Sequence, residues 1–204
     1  MAPLETTEVR WMRPGPLPEG VSHWFRALAA VARPAESRQD RYLLLPDHAD
    51  LGIKLREGRL EIKPRVADLG VHSFGSKIVG RVETWQKWSF DLRQNPVEPL
   101  VQLPARWIAV EKTRQIKAYR LGEGQSLVPV PPIATGETGC EVEIAEIFAF
   151  NQPWYSIGLE ATGPAAEQES ILQRLASILQ PLGRDGLLTL EHSHSYPSWL
   201  AERG

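Results

Sequence analysis

Residues 51–63 read LGIKLREGRLEIK, and this stretch decides the fold. On both sides of the central Glu57-Gly58 pair, apolar residues alternate with charged ones, so each half has one apolar face and one charged face. A glycine-containing pair between two such runs is a signal for a tight turn between antiparallel strands. The stretch therefore predicts a β-hairpin that carries Lys54 and Arg56 on the charged face of its first strand.

The same period-two alternation continues along the chain and predicts an antiparallel β-structure. The predicted strands are 7–13, 51–56, 59–65, 77–90, 107–121, 141–150 and 155–162, with a final short strand at 187–191. Two amphipathic stretches, 19–31 and 164–179, have helical spacing, and the first is followed by Arg33-Pro34 as a stop. The proline-rich stretches 96–104 and 128–132 are predicted to be loops.

Length and composition indicate one domain that covers residues 1–204. The formal net charge of -2 gives no bulk attraction to nucleic acid or to an anionic membrane, so neither is expected as a partner. Cys140 is the one cysteine and cannot form an intramolecular disulfide, and residues 1–9 lack the order of a signal peptide. Apolar runs are far shorter than the roughly 20 residues that span a bilayer. We therefore expect a cytoplasmic protein.

The charged faces of the predicted strands allow two interpretations. In the first, an open sheet packs one face on helices and turns the charged face to water. In the second, the sheet curls and the charged face lines a lumen, where clustered Lys and Arg would hold a polyanion and nearby carboxylates a divalent cation. The alternation is compatible with both interpretations.

Five features in fixed order resemble a known family. They are the basic pair Lys54 and Arg56 before a hairpin whose second strand ends in Lys63; the Lys112-Thr113-Arg114 triplet; the acidic strand 140–147; Ser156 to Glu160 directly before a helix; and the tail Ser195-Tyr196-Pro197-Ser198-Trp199-Leu200. Together they are similar to the CYTH superfamily, the triphosphate tunnel metalloenzymes, which include thiamine triphosphatases, inorganic triphosphatases and class IV adenylate cyclases.

The resemblance implies an α+β fold, a closed or nearly closed antiparallel β-barrel of about eight strands with flanking helices. It implies a small polyanionic ligand such as triphosphate or polyphosphate, and Mg²⁺ or Mn²⁺ for phosphohydrolase chemistry. The phosphate-binding residues implied are Arg10, Lys54, Arg56, Lys63, Lys112 and Arg114. The metal ligands implied are Glu8, Glu143 and Glu160, with Glu61, Glu83 and Glu141 as alternates.

The sequence departs from the family pattern at the metal side. The first-strand signature of two glutamates and a lysine at alternate positions is broken, and of it Glu8 and Arg10 remain. Gly158 replaces a glutamate two residues before Glu160, and His194 stands where a lysine is usual. A non-catalytic binding module is therefore the alternative function, and a barrel that interacts with another protein is the third.

Other residues that could carry chemistry are better explained by structure. His192 and His194 form a His-x-His pair, but two ligands do not make a transition-metal site. Tryptophans such as Trp85 and Trp154 are expected to pack rather than to stack on a base. Cys140 precedes an acidic strand, which raises a thiol pKa, so it is not predicted to be a nucleophile.

Overall fold

The computed structural model describes residues 4–30, 34–93, 106–131 and 137–203. Nine β-strands form one antiparallel sheet in the order β2-β3-β4-β5-β1-β9-β8-β6-β7. The strands are β1 (Leu4–Pro14), β2 (Glu36–Leu43), β3 (Leu51–Arg56), β4 (Arg59–Ser73), β5 (Val79–Asp91), β6 (Trp107–Leu121), β7 (Leu127–Val130), β8 (Gly139–Ala149) and β9 (Gln152–Thr162).

Pairing of β2 with β6 closes eight of these strands into a barrel and leaves β7 attached to the outside edge of β6. The predicted closed barrel is therefore confirmed. The predicted hairpin is confirmed too, because Glu57 and Gly58 both have positive φ (48° and 74°), as the two central residues of a type I′ turn require.

Within the described ranges, three α-helices accompany the barrel, namely α1 (Glu19–Ala27), α2 (Ala165–Leu175) and α3 (Tyr196–Ala201), together with a long 3₁₀ segment, Ala176–Asp185. Outward residues of β1, β8 and β9 pack against α1, α2 and the 3₁₀ segment in the main apolar core, which includes Trp11, Phe25 and Leu172. A second apolar cluster, here called the inner apolar cluster, lies inside one end of the barrel, where Trp199 of α3 packs against inward residues such as Met12 and Trp154. No helix in the described ranges is long and apolar enough to cross a membrane.

Several predicted elements need correction. The strand β2 was missed, because it reads ESRQDRYL and is polar on its outward face as well as inside. Part of the predicted loop 128–132 is strand β7, whose Pro129 is tolerated at the sheet edge. The predicted strand 187–191 is wrong, because this region holds a 3₁₀ turn at Leu190–His192.

Both predicted helices exist but are shorter than expected. The first ends at Ala27, where Leu28 turns extended (ψ 136°) and Lys117 Nζ donates to the carbonyl oxygen of Leu28 (2.5 Å). The second changes to 3₁₀ geometry after Leu175. The predicted loop 96–104, the end of the first predicted helix at residue 31 and the Arg33 stop lie outside the described residues, as does Pro132.

Candidate functional site

A charged cavity of about 140 Å³, here called the lumen, occupies the barrel interior beside the inner apolar cluster. It is lined by inward residues from each of the eight barrel strands and by the Ser195-Tyr196-Pro197 turn. All six predicted phosphate-binding residues line it: Arg10, Lys54, Arg56, Lys63, Lys112 and Arg114. So do four of the six predicted carboxylates, Glu8, Glu61, Glu143 and Glu160. The charged strand faces therefore line a lumen, and the open-sheet interpretation is wrong.

Glu143 lies at the centre of one cluster. Its carboxylate accepts hydrogen bonds from Arg10 (2.7 Å), Lys112 (3.1 Å) and Arg114 (3.4 Å). Burial would raise the pKa of Glu143, but these three cations lower it well below its usual value. A carboxylate enclosed by three cations is poorly placed to hold a metal ion, so the geometry does not favour Glu143 as a metal ligand.

Glu36, which sequence reasoning missed, forms a second cluster at the wall between β2, β3 and β6. It accepts hydrogen bonds from Arg114 (2.7 and 2.8 Å), Arg38 (2.5 Å) and Arg56 (3.0 Å). Burial would raise the pKa of Glu36, but hydrogen bonds from Arg114 and Arg38 lower it to about 2. Arg114 thus bridges Glu36 and Glu143, which links the two clusters.

A third cluster surrounds Lys54, which points inward from β3. Its ammonium lies 3.0 Å from Asp40 and 3.2 Å from Glu61. Burial lowers the pKa of Lys54, although both carboxylates oppose the shift. Asp40 and Arg38 come from β2, which is polar on both faces, so no apolar period in the sequence could have pointed to them.

Burial also lowers the pKa values of two other lumen lysines. It lowers the pKa of Lys112 to about 8, against the attraction of Glu143 and with the repulsion of Arg10. It lowers the pKa of Lys87 as well, and the nearby Glu160 opposes that shift. A buried ammonium whose pKa falls toward neutrality is one that lacks enough negative charge around it. The surroundings of these lysines are therefore short of anions, whereas around Lys63 the carboxylates of Glu8 and Glu160 outweigh burial and raise the pKa.

Four glutamates form a row across neighbouring strands, because Glu83 is the register partner of Glu8, Glu8 of Glu160, and Glu160 of Glu141. Glu8 is bonded to Lys63, and Glu83 to Arg65 (2.5 Å). The pKa of Glu160 would be raised by burial but is lowered by Lys63, Arg10 and Lys87. Within the described ranges, no three or more His, Cys, Asp or Glu side chains are grouped so as to hold a metal ion. The row does not fit a metal in this arrangement.

The Tyr196 ring separates the lumen from the inner apolar cluster. It stacks on Tyr42 (5.6 Å between ring centroids), and Lys112 and Arg10 lie 4.7 and 5.2 Å from its centroid. Behind it, Trp199 is fully buried and contacts Trp154 edge-to-face at 5.4 Å. The end of the barrel behind Tyr196 is thus filled by side chains.

A second cavity of about 350 Å³ is lined by residues between Leu190 and Glu202 near the carboxyl terminus. It shares Glu8, Arg10, Trp85 and Ser195 with the lumen. Glu83, an alternate metal ligand in our prediction, lines this cavity, and burial raises its pKa despite the contact with Arg65. His194 lies here as well, with its Nδ1 atom 3.1 Å from Glu202 and its Nε2 atom 2.9 Å from the Glu191 carbonyl oxygen. Both ring nitrogens are therefore engaged.

Glu141, the other alternate, lies on β8 on the same strand face as Glu143, but does not line the lumen. Cys140 is buried, and its pKa is raised well above normal by burial and by Glu160. A thiol of this kind is not activated as a nucleophile. No family model matches the chain, and no curated protein matches it.

Proposed function

We propose that the lumen binds a small polyanion of the triphosphate or polyphosphate class. The observation that carries this proposal is an excess of cations inside a closed barrel. Eight lining side chains are cationic, namely Arg10, Arg38, Lys54, Arg56, Lys63, Lys87, Lys112 and Arg114. Against them stand four lining carboxylates, Glu8, Glu61, Glu143 and Glu160, and the two β2 carboxylates Glu36 and Asp40.

Physical chemistry favours a multiply charged ligand over a single anion. Cations that are held close together in a space of low dielectric repel one another, and the repulsion is relieved when an anion enters. The four arginines can present paired N–H donors to phosphate oxygens, and the lysines supply point charges. A chain of linked phosphates would contact cations on opposite walls, which a single carboxylate cannot do.

The resemblance to the CYTH superfamily supports the same ligand class. The five cationic residues among those that carry the resemblance, Lys54, Arg56, Lys63, Lys112 and Arg114, line the lumen. We further propose a cytoplasmic location, because Cys140 is a buried free thiol. Membranes and nucleic acids are not proposed as partners.

Titration calorimetry with tripolyphosphate tests the proposal. We expect saturable binding that weakens at least about fivefold between 50 and 200 mM salt, because the contacts are ionic. Lys112→Met should weaken binding by about ten- to a hundredfold, as expected for the loss of a charged hydrogen bond. Lys77→Met, at an exposed lysine outside the lumen, is the matched control and should bind as the wild type does. Absence of saturable binding at low salt would contradict the proposal.

A second candidate function, Mg²⁺- or Mn²⁺-dependent phosphohydrolysis, is favoured by one observation. Glu8 and Glu160 are register partners on adjacent strands, and magnesium is commonly held by one or two carboxylates plus substrate phosphates and water. Because the row does not fit a metal in the described arrangement, this candidate requires Lys63, which contacts Glu8, to move first to a phosphate oxygen.

Phosphate release from tripolyphosphate with either metal tests this candidate. Any activity should be weak and should be abolished by Glu160→Ala, whereas Glu167→Ala, at an exposed carboxylate on α2, should leave it unchanged. Robust metal-dependent turnover that survives Glu160→Ala would contradict the assignment of Glu160 as a metal ligand.

A further inference from the structure

Strand β2 runs between the two ends of the lumen, and these ends differ. At one end of β2, Tyr42 stacks on Tyr196, and behind this pair Trp199 and the rest of the inner apolar cluster fill the barrel. At the other end, the side chain of Glu36 is 36% exposed and that of its partner Arg56 is 21% exposed. Among the described residues, the lumen is therefore closed at Tyr196, here called the blind end, and open beside Glu36, here called the mouth.

The blind end carries an excess of positive charge. Arg10 and Lys112 lie against the Tyr196 ring, and their side chains are 8% and 6% exposed. Together with Arg114 they share the carboxylate of Glu143. The Nε atom of Arg10 is buried and has no acceptor among the described residues. Because a buried donor without an acceptor is costly, the blind end favours an additional anionic group.

The second cavity adjoins the lumen at Arg10 but does not continue its positive charge. Arg65 of this cavity is paired with Glu83 (2.5 Å). Arg81 is paired with Asp68 (2.7 Å). Against these three arginines, the lining includes four carboxylates, namely Glu8, Asp68, Glu83 and Glu202. A phosphate group that left the lumen by this route would meet net negative charge and would be repelled.

We propose that the lumen binds a phosphate chain end-on, with a terminal phosphate at the blind end and the rest of the chain leaving through the mouth. End-on binding rests on the proposed function and deepens it, because it selects the part of the ligand that is bound. A linear chain with a free terminal phosphate fits this geometry. A segment within a long chain has no end that can reach Arg10 and Lys112, so it does not fit.

Titration calorimetry of the full chain with linear polyphosphate of two defined lengths, both long enough to keep two barrels apart, tests end-on binding. We expect two protein molecules per polyphosphate chain at both lengths, because every linear chain has two ends. Chains whose terminal phosphates are both capped as phosphoramidates keep their length and most of their charge, and they should bind at least about tenfold more weakly.

The number of bound protein molecules separates this inference from the proposed function. A number that rises with chain length, or capped chains that bind as tightly as uncapped ones, would overturn end-on binding while the proposed function stands. Absence of saturable binding by any chain would overturn both.

Matched variants locate the bound end. Lys112→Met, at the blind end, should weaken binding of pyrophosphate and of long polyphosphate alike by at least about tenfold, since both place a terminal phosphate there. Arg56→Met, at the mouth, should weaken long polyphosphate about fivefold, as for a partly exposed ionic contact, and should leave pyrophosphate within about twofold. Far-UV circular dichroism shows whether both variants are folded. A loss of pyrophosphate affinity in folded Arg56→Met that equals or exceeds the loss in Lys112→Met would overturn the proposal.

Discussion

Lys112 makes the proposed binding dependent on pH in a range where few other groups titrate. Its pKa is lowered to about 8, chiefly by burial, so about nine-tenths of the molecules carry the charge at pH 7 and about one-tenth at pH 9. A polyanion binds the form of the protein in which Lys112 is charged, and its negative charge raises the pKa of Lys112. Affinity for tripolyphosphate should therefore fall about tenfold, or about 1.4 kcal/mol, between pH 7 and 9.

In the ligand-free chain, the same group makes the free energy of unfolding change with pH in the opposite direction to the affinity. The folded chain gives up the Lys112 proton at about 8, whereas the unfolded chain keeps it up to 10.5. The unfolded state thus binds more protons between these values, and this group makes the free energy of unfolding rise with pH across that window. Ligand affinity and ligand-free stability should change in opposite directions.

Calorimetry at pH 7, 8 and 9 in buffers of different ionisation enthalpy checks the argument, because proton uptake on binding should appear near pH 8.5. Tripolyphosphate itself gains charge in this range, which affects every variant alike, so the decisive quantity is the difference between the wild type and Lys112→Met. The variant should lose the tenfold fall. Equal pH slopes in the two proteins, or equal proton uptake by the two on binding, would refute the assignment of this shift to Lys112.

Three further predictions concern stability. Glu143→Gln leaves Arg10 and its cationic neighbours without their shared carboxylate and should cost about 3–5 kcal/mol in urea unfolding, a loss that tripolyphosphate should partly reverse; an unchanged midpoint without ligand would contradict this. Trp199→Ala should cost about 3–5 kcal/mol because Trp199 is fully buried, whereas Phe148→Ala, at an exposed aromatic, should cost under about 1 kcal/mol. Because the pKa of Glu36 is about 2 in the folded chain, its stabilising contribution is complete above the unfolded value of 4.5 and is lost as pH falls toward 2; Glu36→Gln should flatten that part of the acid-unfolding curve.

Alternation along the strands predicted most of the barrel and of its interior. In residues 53–56 of β3 and 59–63 of β4, charged and apolar residues alternate, so the faces that carry Lys54 and Lys63 could be assigned before their partners were known. The strand β2 could not be assigned in this way, because its outward residues face solvent and its inward residues face a charged lumen. Both faces are therefore polar, and the apolar period on which strand prediction depends is missing.

The inner apolar cluster was not predicted for the reverse reason. At that end of the barrel, the inward residues Met12 and Trp154 are apolar, and so are the outward neighbours Trp11 and Tyr155. Alternation cannot distinguish the two faces there. Which carboxylate contacts which cation was equally beyond the sequence, because Glu36 and Arg114 are 78 residues apart and meet only when the ring closes.

Few backbone pairs join β2 to β3 in the wall of the barrel. Backbone pairing there is limited to Arg41 with Leu55 and Tyr42 with Lys54, and farther along the seam the strands are joined by the Glu36–Arg56 contact. Amide hydrogens along this seam should exchange with solvent early. A polyanion that draws Lys54 and Arg56 away from their carboxylates would remove ion pairs that join β2 to β3. Local opening between these two strands should therefore be more frequent in the occupied barrel than in the empty one.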